Sequence, residues 1–267
     1  MTESTLRQDY SLMACNICGK KAVPFDEAAV LGKYHVHYFQ CESCGFVQTE
    51  KPYWLTEAYS SAIASQDVGI MQRNLENREV TSAVLNLLFP ESSDALDFGG
   101  GHGILVRLMR DRGFNFSWFD RHATNDYAHG FEHRESQSYD FLTSFEVLEH
   151  LTDPITDLSA LMTLSPNVLV STCLVPKPTP KLTDWWYWMP SSGQHISFYT
   201  LESLRVLASR FERHLLSRGP YHLFTKHPKS SHLFKLATKV RTARILNLFY
   251  KHPTLIESDL QRAISNL

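Results

Sequence analysis

The stretch DALDFGGGHGILVRLMRDRG, residues 94–113, contains a short apolar run, a cluster of glycines and an amphipathic segment. The run ALDF predicts a buried strand that ends at the glycines. After Gly103 the apolar residues recur at helical spacing, and Gly113 is a suitable helix stop. The order strand, glycine turn, helix is typical of the start of a nucleotide-binding α/β sheet.

The glycine cluster does not fit two common phosphate-binding motifs. A G-x-G-x-x-G motif that began at Gly99 would need a glycine where Ile104 stands, and no Gly-Lys-Ser/Thr of a P-loop follows. Asp97, at the end of the predicted strand, would repel a pyrophosphate. It suits a ligand with positive charge, such as the ammonium and sulfonium groups of S-adenosylmethionine (SAM).

Further strands extend the same pattern. Residues 114–119, FNFSWF, predict the next strand, and Asp120 follows it, 21 residues after Gly99. An acid at this place can accept hydrogen bonds from ribose hydroxyls. Residues 139–145 and 167–172 predict two more strands, and an Asp-Pro pair at 153–154 predicts a helix start between them.

Two cysteine pairs precede this region, CNICG at 15–19 and CESCG at 41–45. Two C-x2-C pairs at this separation indicate a zinc ribbon, in which four thiolates close the coordination sphere of a structural Zn2+. The predicted ligands are Cys15, Cys18, Cys41 and Cys44. Two alternatives stay open, namely four unrelated buried thiols and a dithiol redox site.

Composition limits the class of protein. The chain has 267 residues, 43% of them apolar, and a formal net charge of −2, which implies no global attraction to nucleic acid or membrane. The first residues lack the features of a signal peptide, and no apolar run is long enough to span a bilayer. We therefore expect a cytoplasmic protein, in which paired cysteines hold metal more often than they form disulfides.

Three motifs together resemble those of class I SAM-dependent methyltransferases of the VLEHL-DP type. They are LDFGGGHG at 96–103, YDFLTSFEVLEHLTDP at 139–154 and GQHISFYT at 193–200. The whole chain also resembles bacterial sugar and small-molecule methyltransferases with an N-terminal zinc-binding segment. The resemblance implies an α/β fold: a Rossmann-like seven-stranded methyltransferase sheet with an N-terminal zinc ribbon and a C-terminal helical tail.

The resemblance also implies an arrangement of domains. We expect a zinc ribbon at 1–52, a helical linker that covers the cofactor at 53–90, a SAM-binding core at 91–225 and a basic helical tail at 226–267. Tyr59 and Arg73, in the linker, could close over the SAM carboxylate or over a phosphate of the substrate. Packing and a solvated salt bridge are the alternative roles for them.

The family pattern assigns roles around the cofactor to matching positions. Asp97 would approach the methionine part of SAM, Asp120 would hold the ribose, and Phe131 or Glu132 would lie near the adenine. Phe145 and Glu146 would line the methyl-transfer face. The implied cofactor-binding residues are Asp97, Gly99, Gly101, Asp120, Phe131 and Phe145.

The segment EVLEH allows two kinds of chemistry. Glu146, Glu149 and His150 are spaced i, i+3, i+4 and would share one face of a helix. In one interpretation His195, Glu146 and His150 perform acid/base catalysis, with His195 as the general base. In the other a divalent cation is bound by Glu146, Glu149, His150 and His195. That pattern resembles the ligands of ubiquinone-pathway O-methyltransferases and small-RNA 2′-O-methyltransferases. Purely structural roles for these side chains also stay open.

The predicted function is a SAM-dependent methyltransferase that acts on a small molecule. A sugar or nucleotide-linked glycan is the favoured acceptor, because the loop at 175–193 carries an aromatic cluster at 185–188 that could stack on a sugar. The alternative that this cluster covers the hydrophobic core stays open. Two alternatives stay open: a metal-assisted O-methyltransferase acting on RNA or a quinol-type hydroxyl, and a non-catalytic SAM- or nucleic-acid-binding zinc-ribbon module. Nucleic acid is not the expected partner, and nothing indicates an oligomeric state. The basic tail could face solvent, RNA, an anionic lipid surface or a nucleotide-linked sugar.

Overall fold

The computed structural model describes residues 13–60 and 68–265. The start of the predicted ribbon, residues 61–67 of the predicted linker and the last two residues of the predicted tail lie outside the described residues. Within the described part, no helix combines the length and apolarity needed to cross a membrane.

In chain order the elements are β1 Ala22–Val30, β2 Tyr34–Cys41, β3 Val47–Thr49, α1 Leu55–Ala58, α2 Ile70–Leu88, β4 Asp94–Phe98, α3 Ile104–Asp111, β5 Asn115–Phe119, β6 Phe141–Phe145, a 3-10 helix Leu148–His150, α4 Pro154–Leu164, β7 Asn167–Ser171, a 3-10 helix Trp186–Trp188, β8 Ser197–Phe198, α5 Leu201–Arg210, β9 His214–Arg218, β10 Tyr221–Thr225, α6 Ser231–Ala237, α7 Val240–Leu246 and α8 Ile256–Ser265.

The main sheet has six strands in the order β5-β4-β6-β7-β10-β9. The first four are parallel, whereas β10 pairs antiparallel with both β7 and β9. The short apolar runs at 95–98, 141–145 and 168–171 form its buried centre, as two-sided burial in a parallel sheet requires. The predicted α/β fold with a Rossmann-like methyltransferase sheet is confirmed.

Seven strands were expected, whereas six form the main sheet in the described part of the chain. A short extended segment lies beside the β5 edge. Among the described residues the pairing there is a single parallel bridge between Trp118 and Glu132. Two hydrogen bonds hold it, from Trp118 N to Phe131 O at 2.7 Å and from His133 N to Trp118 O at 2.7 Å. The segment around it turns at Gly130 and again at Ser136, both at positive φ, so the extended stretch is too short to form a strand.

Helices cover both faces of the main sheet. On one face α2, α3, α6 and α7 pack around a core that includes Val84, Val106, Phe141 and Phe234. On the other face lie α4 and α5, together with the cysteine-rich segment, around Leu158, Leu204 and Phe224. Asp153 caps α4 by accepting a hydrogen bond from Thr156 N at 3.2 Å, with proline at the first helical position, as predicted.

A second, antiparallel sheet joins the N-terminal segment to the core. Its strand order is β1-β2-β3-β8, and β8 comes from the chain between β7 and α5. Val47 pairs with Phe198 and Gln48 with Ser197. Beneath it lies an aromatic cluster that contains Tyr38, Trp54, Trp188 and Phe198. The N-terminal segment therefore shares a sheet and a hydrophobic core with residues from the middle of the chain.

Thr200 fixes this junction at the start of α5. Its Oγ1 accepts a hydrogen bond from Ser203 N at 3.0 Å, which caps the helix, and donates one to Cys44 O at 2.5 Å. The last cysteine turn is thus attached to the first turn of a core helix.

Candidate active site and metal centre

The four N-terminal cysteines converge on one point. The Sγ atoms of Cys15 and Cys44 lie 3.6 Å apart, those of Cys18 and Cys41 lie 3.4 Å apart, and all four lie within 4.8 Å of one another. A tetrahedral Zn2+ with Zn–S bonds of about 2.3 Å separates its sulfurs by roughly 3.8 Å. The sulfur positions therefore fit a zinc site with four cysteine ligands after small adjustments.

The surroundings of the cysteines also suit a cation. Backbone amides of Ile17 and Cys44 donate to the sulfurs of Cys15 and Cys41, each at 3.4 Å. A hydrogen bond from Cys44 lowers the pKa of Cys15 to about 5, whereas that same bond and burial raise the pKa of the Cys44 thiol. A divalent metal would stabilise all four as thiolates. None of the four lines the large cavity described next, so this centre suits a structural role.

A cavity of about 1000 Å³ opens at the carboxyl ends of β4, β5 and β6. Ligands in open α/β sheets bind at this edge. Its wall also includes residues from 55–59, 69–77 and 186–195, which belong to the linker and to the loop before β8. Eight residues predicted from the sequence line it: Asp97, Gly99, Gly101, Asp120, Phe145, Glu146, His150 and His195.

The glycine turn after β4 forms one wall of the cavity. Gly99 has φ 72°, and a Cβ added there would lie 2.5 Å from Val147 Cγ2. Gly101 has φ 53°, but an added Cβ would meet nothing within 4 Å. Gly99 is therefore required both for its backbone conformation and for the space beside the turn after β6.

Asp97, at the end of β4, is almost fully buried at 3% exposure. Its Oδ1 accepts a hydrogen bond from Thr143 Oγ1 at 2.6 Å. Burial raises the pKa of Asp97 to about 7, the Thr143 hydrogen bond opposes this shift, and the nearby charge of Asp120 adds to it. A cationic ligand in the cavity would favour the ionised form of this carboxyl group.

Asp120 connects the glycine turn to the loop after β5. Its Oδ2 accepts a hydrogen bond from Gly101 N at 2.9 Å, and its Oδ1 accepts from His122 N at 2.7 Å and Ala123 N at 2.8 Å. A carboxylate offers about four lone-pair sites, so Asp120 can still accept a hydrogen bond from a ligand hydroxyl.

Phe131 lies away from the cavity, contrary to its implied place near the adenine of SAM. Its side chain is buried against the guanidinium groups of Arg110 and Arg262, 3.6 Å and 4.9 Å from the ring centroid. The turn at Gly130 directs the ring towards α3 and α8. His122 and Ala123, directly after Asp120, line the cavity instead.

Glu146, the first residue after β6, adopts a strained backbone conformation with φ 54°. Its Oε1 accepts a hydrogen bond from Ser171 Oγ at 2.6 Å. Burial, and next the charge of Glu149, raise the pKa of Glu146 to about 7. A carboxyl group with a pKa near neutrality can both accept and return a proton at physiological pH.

Glu149, His150 and His195 form a compact triad. A carboxylate oxygen of Glu149 and a ring nitrogen of each histidine lie within 4.8 Å of one another. A 3-10 turn replaces the predicted helix at this point. In this turn the side chains of the neighbouring residues Glu149 and His150 approach each other. Glu146 is not part of this triad.

Hydrogen bonds determine which atoms of the triad remain available. His150 Nδ1 lies 3.1 Å from Gln194 O, and His195 Nδ1 lies 2.8 Å from Tyr187 O. Because a carbonyl oxygen only accepts, both Nδ1 atoms carry the proton and both Nε2 atoms keep a lone pair. Glu149 is fully buried, and its Oε2 has no hydrogen-bond partner among the described residues.

Burial sets the protonation of the triad. It lowers the pKa of His150 to about 3 and also lowers the pKa of His195. It raises the pKa of Glu149 to about 7, against the effect of the Tyr187 hydrogen bond. Near neutral pH the triad therefore contains two neutral imidazoles and a carboxyl group that a cation would ionise, which is a donor set suited to a divalent transition metal.

Aromatic side chains surround the entrance to the cavity. Tyr59 stacks on His122 with ring centroids 4.9 Å apart, and Trp186 is 71% exposed. Both line the cavity, as does Arg73 from α2. In the loop predicted to form an aromatic wall, Tyr187 and Trp188 are buried. Tyr187 still lines the cavity, and Trp186 is the exposed part of that wall.

Sequence reasoning missed the role of Tyr187. Its hydroxyl donates to Glu149 Oε1 at 2.6 Å, and its carbonyl oxygen accepts from His195, so it positions two members of the triad. Tyr187 and Glu149 are 38 positions apart in the sequence, so no local pattern would reveal this contact.

Comparison with known proteins agrees with this geometry. Residues 71–213, more than half of the chain, match the family described as methyltransferase domain. The chain belongs to this family. The match includes the glycine turn, Asp120, Glu146 and the triad, and it confirms the prediction of a methyltransferase domain.

Among solved structures, methyltransferases are similar to part of the chain at low sequence identity. The mitomycin 7-O-methyltransferase is 17% identical, with 64% of this chain and 65% of that chain covered and a TM-score of 0.41. An O-methyltransferase family protein from Burkholderia thailandensis is 16% identical, with 64% and 66% covered and a TM-score of 0.46. The chain thus spans just under two thirds of the length of these two proteins. No curated protein sequence matches the chain.

Proposed function

We propose that the protein transfers a methyl group from SAM to a small-molecule acceptor in the 1000 Å³ cavity. The observation that carries the proposal is the convergence of the glycine turn, Asp97 and Asp120 with Glu146 and His195 on one cavity. The first group suits a cationic nucleoside cofactor, and the second can remove a proton from the acceptor as the methyl group arrives.

The cofactor would lie along the glycine turn. Asp97 would face the positively charged methionine part, and Asp120 would accept a hydrogen bond from a ribose hydroxyl. Arg73 and Tyr59, which line the same cavity, would close over the methionine carboxylate. The adenine would then lie towards His122 and Ala123 rather than Phe131.

The acceptor would enter past Trp186. This exposed indole offers a flat apolar surface at the rim of the cavity, which suits the face of a sugar or of another ring. The acceptor atom would then lie near Glu146 and the Nε2 atom of His195. A sugar or a nucleotide-linked glycan is the acceptor class that this arrangement favours.

The direct test uses the purified full chain loaded with zinc. We expect isothermal titration calorimetry to show binding of SAM and of S-adenosylhomocysteine, and labelled SAM to mark a small-molecule fraction of a cell extract. Glu146→Gln should reduce this labelling with little change in SAM affinity. Tight binding of a pyridine dinucleotide with no response to SAM would overturn the proposal. SAM binding without labelling of any fraction would favour a non-catalytic SAM-binding module.

A second candidate is metal-assisted O-methylation of a hydroxyl on RNA or a quinol-type ring. It is favoured by the unpartnered buried Oε2 of Glu149 beside two histidine nitrogens that are already neutral and oriented. Glu149, His150 and His195 would hold a divalent cation, which would lower the pKa of an acceptor hydroxyl. Glu146, outside the triad, would then receive the proton.

Metal analysis separates the two mechanisms. Metal-assisted transfer predicts a second divalent cation in addition to the cysteine-bound zinc, and predicts that His150→Ala removes only this second cation. If the unmodified chain and His150→Ala both bind one zinc and no further metal after incubation with Mn2+, Mg2+, Fe2+ or Zn2+, the metal-assisted mechanism is wrong.

A further inference from the structure

The C-terminal part of the chain has an uneven distribution of charge. Residues 213–256 contain nine Lys and Arg residues and no Asp or Glu, although the whole chain carries a formal net charge of −2. The catalytic proposal does not use this segment, which includes α6 and α7.

The inner faces of α6 and α7 attach both helices to the core. Phe234, Ala237 and Ala243 are buried in the cluster that contains residues of α2. Asn247, just after α7, donates hydrogen bonds to the carbonyl oxygen and carboxylate of Glu79 at 3.0 and 2.9 Å. Both helices therefore pack against α2, and the opposite sides of both face outwards.

The outward sides present large apolar side chains to solvent. Ile245 is 59% exposed, Leu248 70% and Phe249 79%, and Leu236 of α6 is also exposed. Removing such side chains from water is favourable, so a group of them on the surface indicates an interaction site.

Cations alternate with these apolar side chains. In α7 and the following turn, Arg241, Arg244, Ile245 and Leu248 follow the i, i+3, i+4, i+7 spacing of one helix face. We name as the basic-apolar face the residues Lys235, Leu236, Lys239, Arg241, Arg244, Ile245, Leu248, Phe249 and Lys251. None of its cations forms an ion pair within the described part of the chain.

We propose that the basic-apolar face binds the surface of an anionic lipid bilayer. Lys and Arg attract acidic headgroups, and Leu, Ile and Phe side chains between them insert at the boundary between headgroups and acyl chains. The long stems of Lys and Arg let their charges remain at headgroup level while the apolar side chains enter.

Two other possible partners of the basic-apolar face, RNA and a second copy of the chain, fit less well. An RNA backbone would pair with the cations but would leave Leu236, Ile245 and Leu248 in contact with charged phosphates and water. A second copy of the same face would cover the apolar side chains but would bring like charges together, which is unfavourable across a symmetric interface.

The test is co-sedimentation of the full, zinc-loaded chain with phosphatidylcholine vesicles, with and without phosphatidylglycerol. We expect binding only to the anionic vesicles. Arg241→Glu with Arg244→Glu should weaken binding by roughly tenfold or more, because each cation contributes separately at the surface. Ile245→Ser with Leu248→Ser should weaken it to a similar extent without changing net charge.

A matched control changes the same net charge elsewhere. Lys51→Glu with Arg205→Glu alters two exposed cations outside the basic-apolar face and should leave vesicle binding unchanged. Circular dichroism of each variant checks that the fold is intact. Equal binding to neutral vesicles, no binding, or equal losses in the control would overturn the proposal. Salt-sensitive RNA binding that survives Ile245→Ser with Leu248→Ser, or a dimer in sedimentation that these changes dissociate, would do the same.

Discussion

Asp97 shows how one residue can favour ligand binding while it lowers the stability of the ligand-free protein. Its carboxyl group is buried, and its pKa of about 7 lies well above the ordinary value of 3.8. Deprotonation is therefore easier in the unfolded chain than in the ligand-free native state. The ionised form, which binds a cation best, is the form that burial disfavours.

We expect Asp97→Asn to weaken SAM binding and to reduce its dependence on pH. In the unmodified protein, affinity should fall as the pH decreases through about 7, with a limiting slope of about tenfold per pH unit, because a proton competes with the cationic ligand. Titration calorimetry between about pH 6 and pH 8 measures both effects. Unchanged affinity in Asp97→Asn would show that this carboxyl group does not face the methyl donor.

The same substitution has an opposite expected effect on the ligand-free fold. Because the folded pKa of Asp97 exceeds its unfolded pKa, its contribution destabilises the native state progressively as pH rises from about 4 to 7. Asp97→Asn lacks this penalty and should be more stable at about pH 8, by roughly 2 kcal/mol after allowance for relaxation. Urea denaturation of both proteins, below and above this pH range, tests the sign of their difference in stability.

Glu146 combines a second raised pKa with backbone strain. We expect Glu146→Gly to stabilise the protein by about 1 kcal/mol, because glycine adopts φ near 54° without strain, and to reduce methyl transfer, because the carboxyl group is lost. Glu212→Gly is the matched control, since Glu212 is exposed and has φ 52°. It should gain stability and keep full activity. Equal activity in both variants would exclude a catalytic role for Glu146.

At the scale of elements, the connections between strands and helices define the cofactor wall. We expect Gly99→Ala to destabilise the protein by roughly 2–3 kcal/mol and to abolish SAM binding, because the new methyl group would meet Val147 in a backbone conformation that alanine avoids. Gly101→Ala has a similar φ but free space, and should cost only about 1 kcal/mol. Denaturation midpoints that do not differ between the two would contradict this account.

The regular elements of the core could be predicted from sequence because their signals are local. Apolar runs bounded by glycine, aspartate or proline indicated β4, β6 and β7, and the capping pair at 153–154 indicated the start of α4. Elements that depend on distant partners could not be predicted. The two residues of β8 form a strand only because β3 lies beside them, and residues 148–150 form a 3-10 turn rather than the expected helix face.

The residues of the candidate site could likewise be predicted where their signals were local, and not where they depended on distant partners. Residues at strand ends, such as Asp97 and Asp120, could be placed because parallel strands end at one edge of the sheet. Phe131 was misplaced, because a turn at Gly130 sends its ring towards Arg110, which no local pattern indicates. Glu149 and His195 were recognised as possible ligands, but the hydrogen bonds that orient the triad come from Tyr187 and Gln194.

At the scale of the whole molecule, the cysteine centre should influence catalysis through the shared sheet. We expect Cys41→Ser to lose zinc and to slow methyl transfer by roughly tenfold or more, because β3 no longer holds the segment that carries His195. SAM binding should change little, since Asp97 and Asp120 belong to the other sheet and the loop beside it. Elemental analysis, calorimetry and rate measurement test the three parts.

Cys173→Ser is the control for this prediction. Cys173 is the fifth cysteine and lies outside the metal-binding group, so its substitution should preserve zinc content and fold. A Cys41→Ser protein with full zinc content, or with an undiminished rate of methyl transfer, would show that the ribbon and the active site are independent.

The pairing of β3 with β8 also affects how this protein could be recombined with its relatives. A chimera that exchanged only the first 52 residues would separate two hydrogen-bonded strands and place foreign side chains against Trp188 and Phe198. The smallest exchangeable unit is discontinuous: the N-terminal segment together with residues 185–200. Successful crossovers, in the laboratory or in evolution, should therefore transfer the two pieces together.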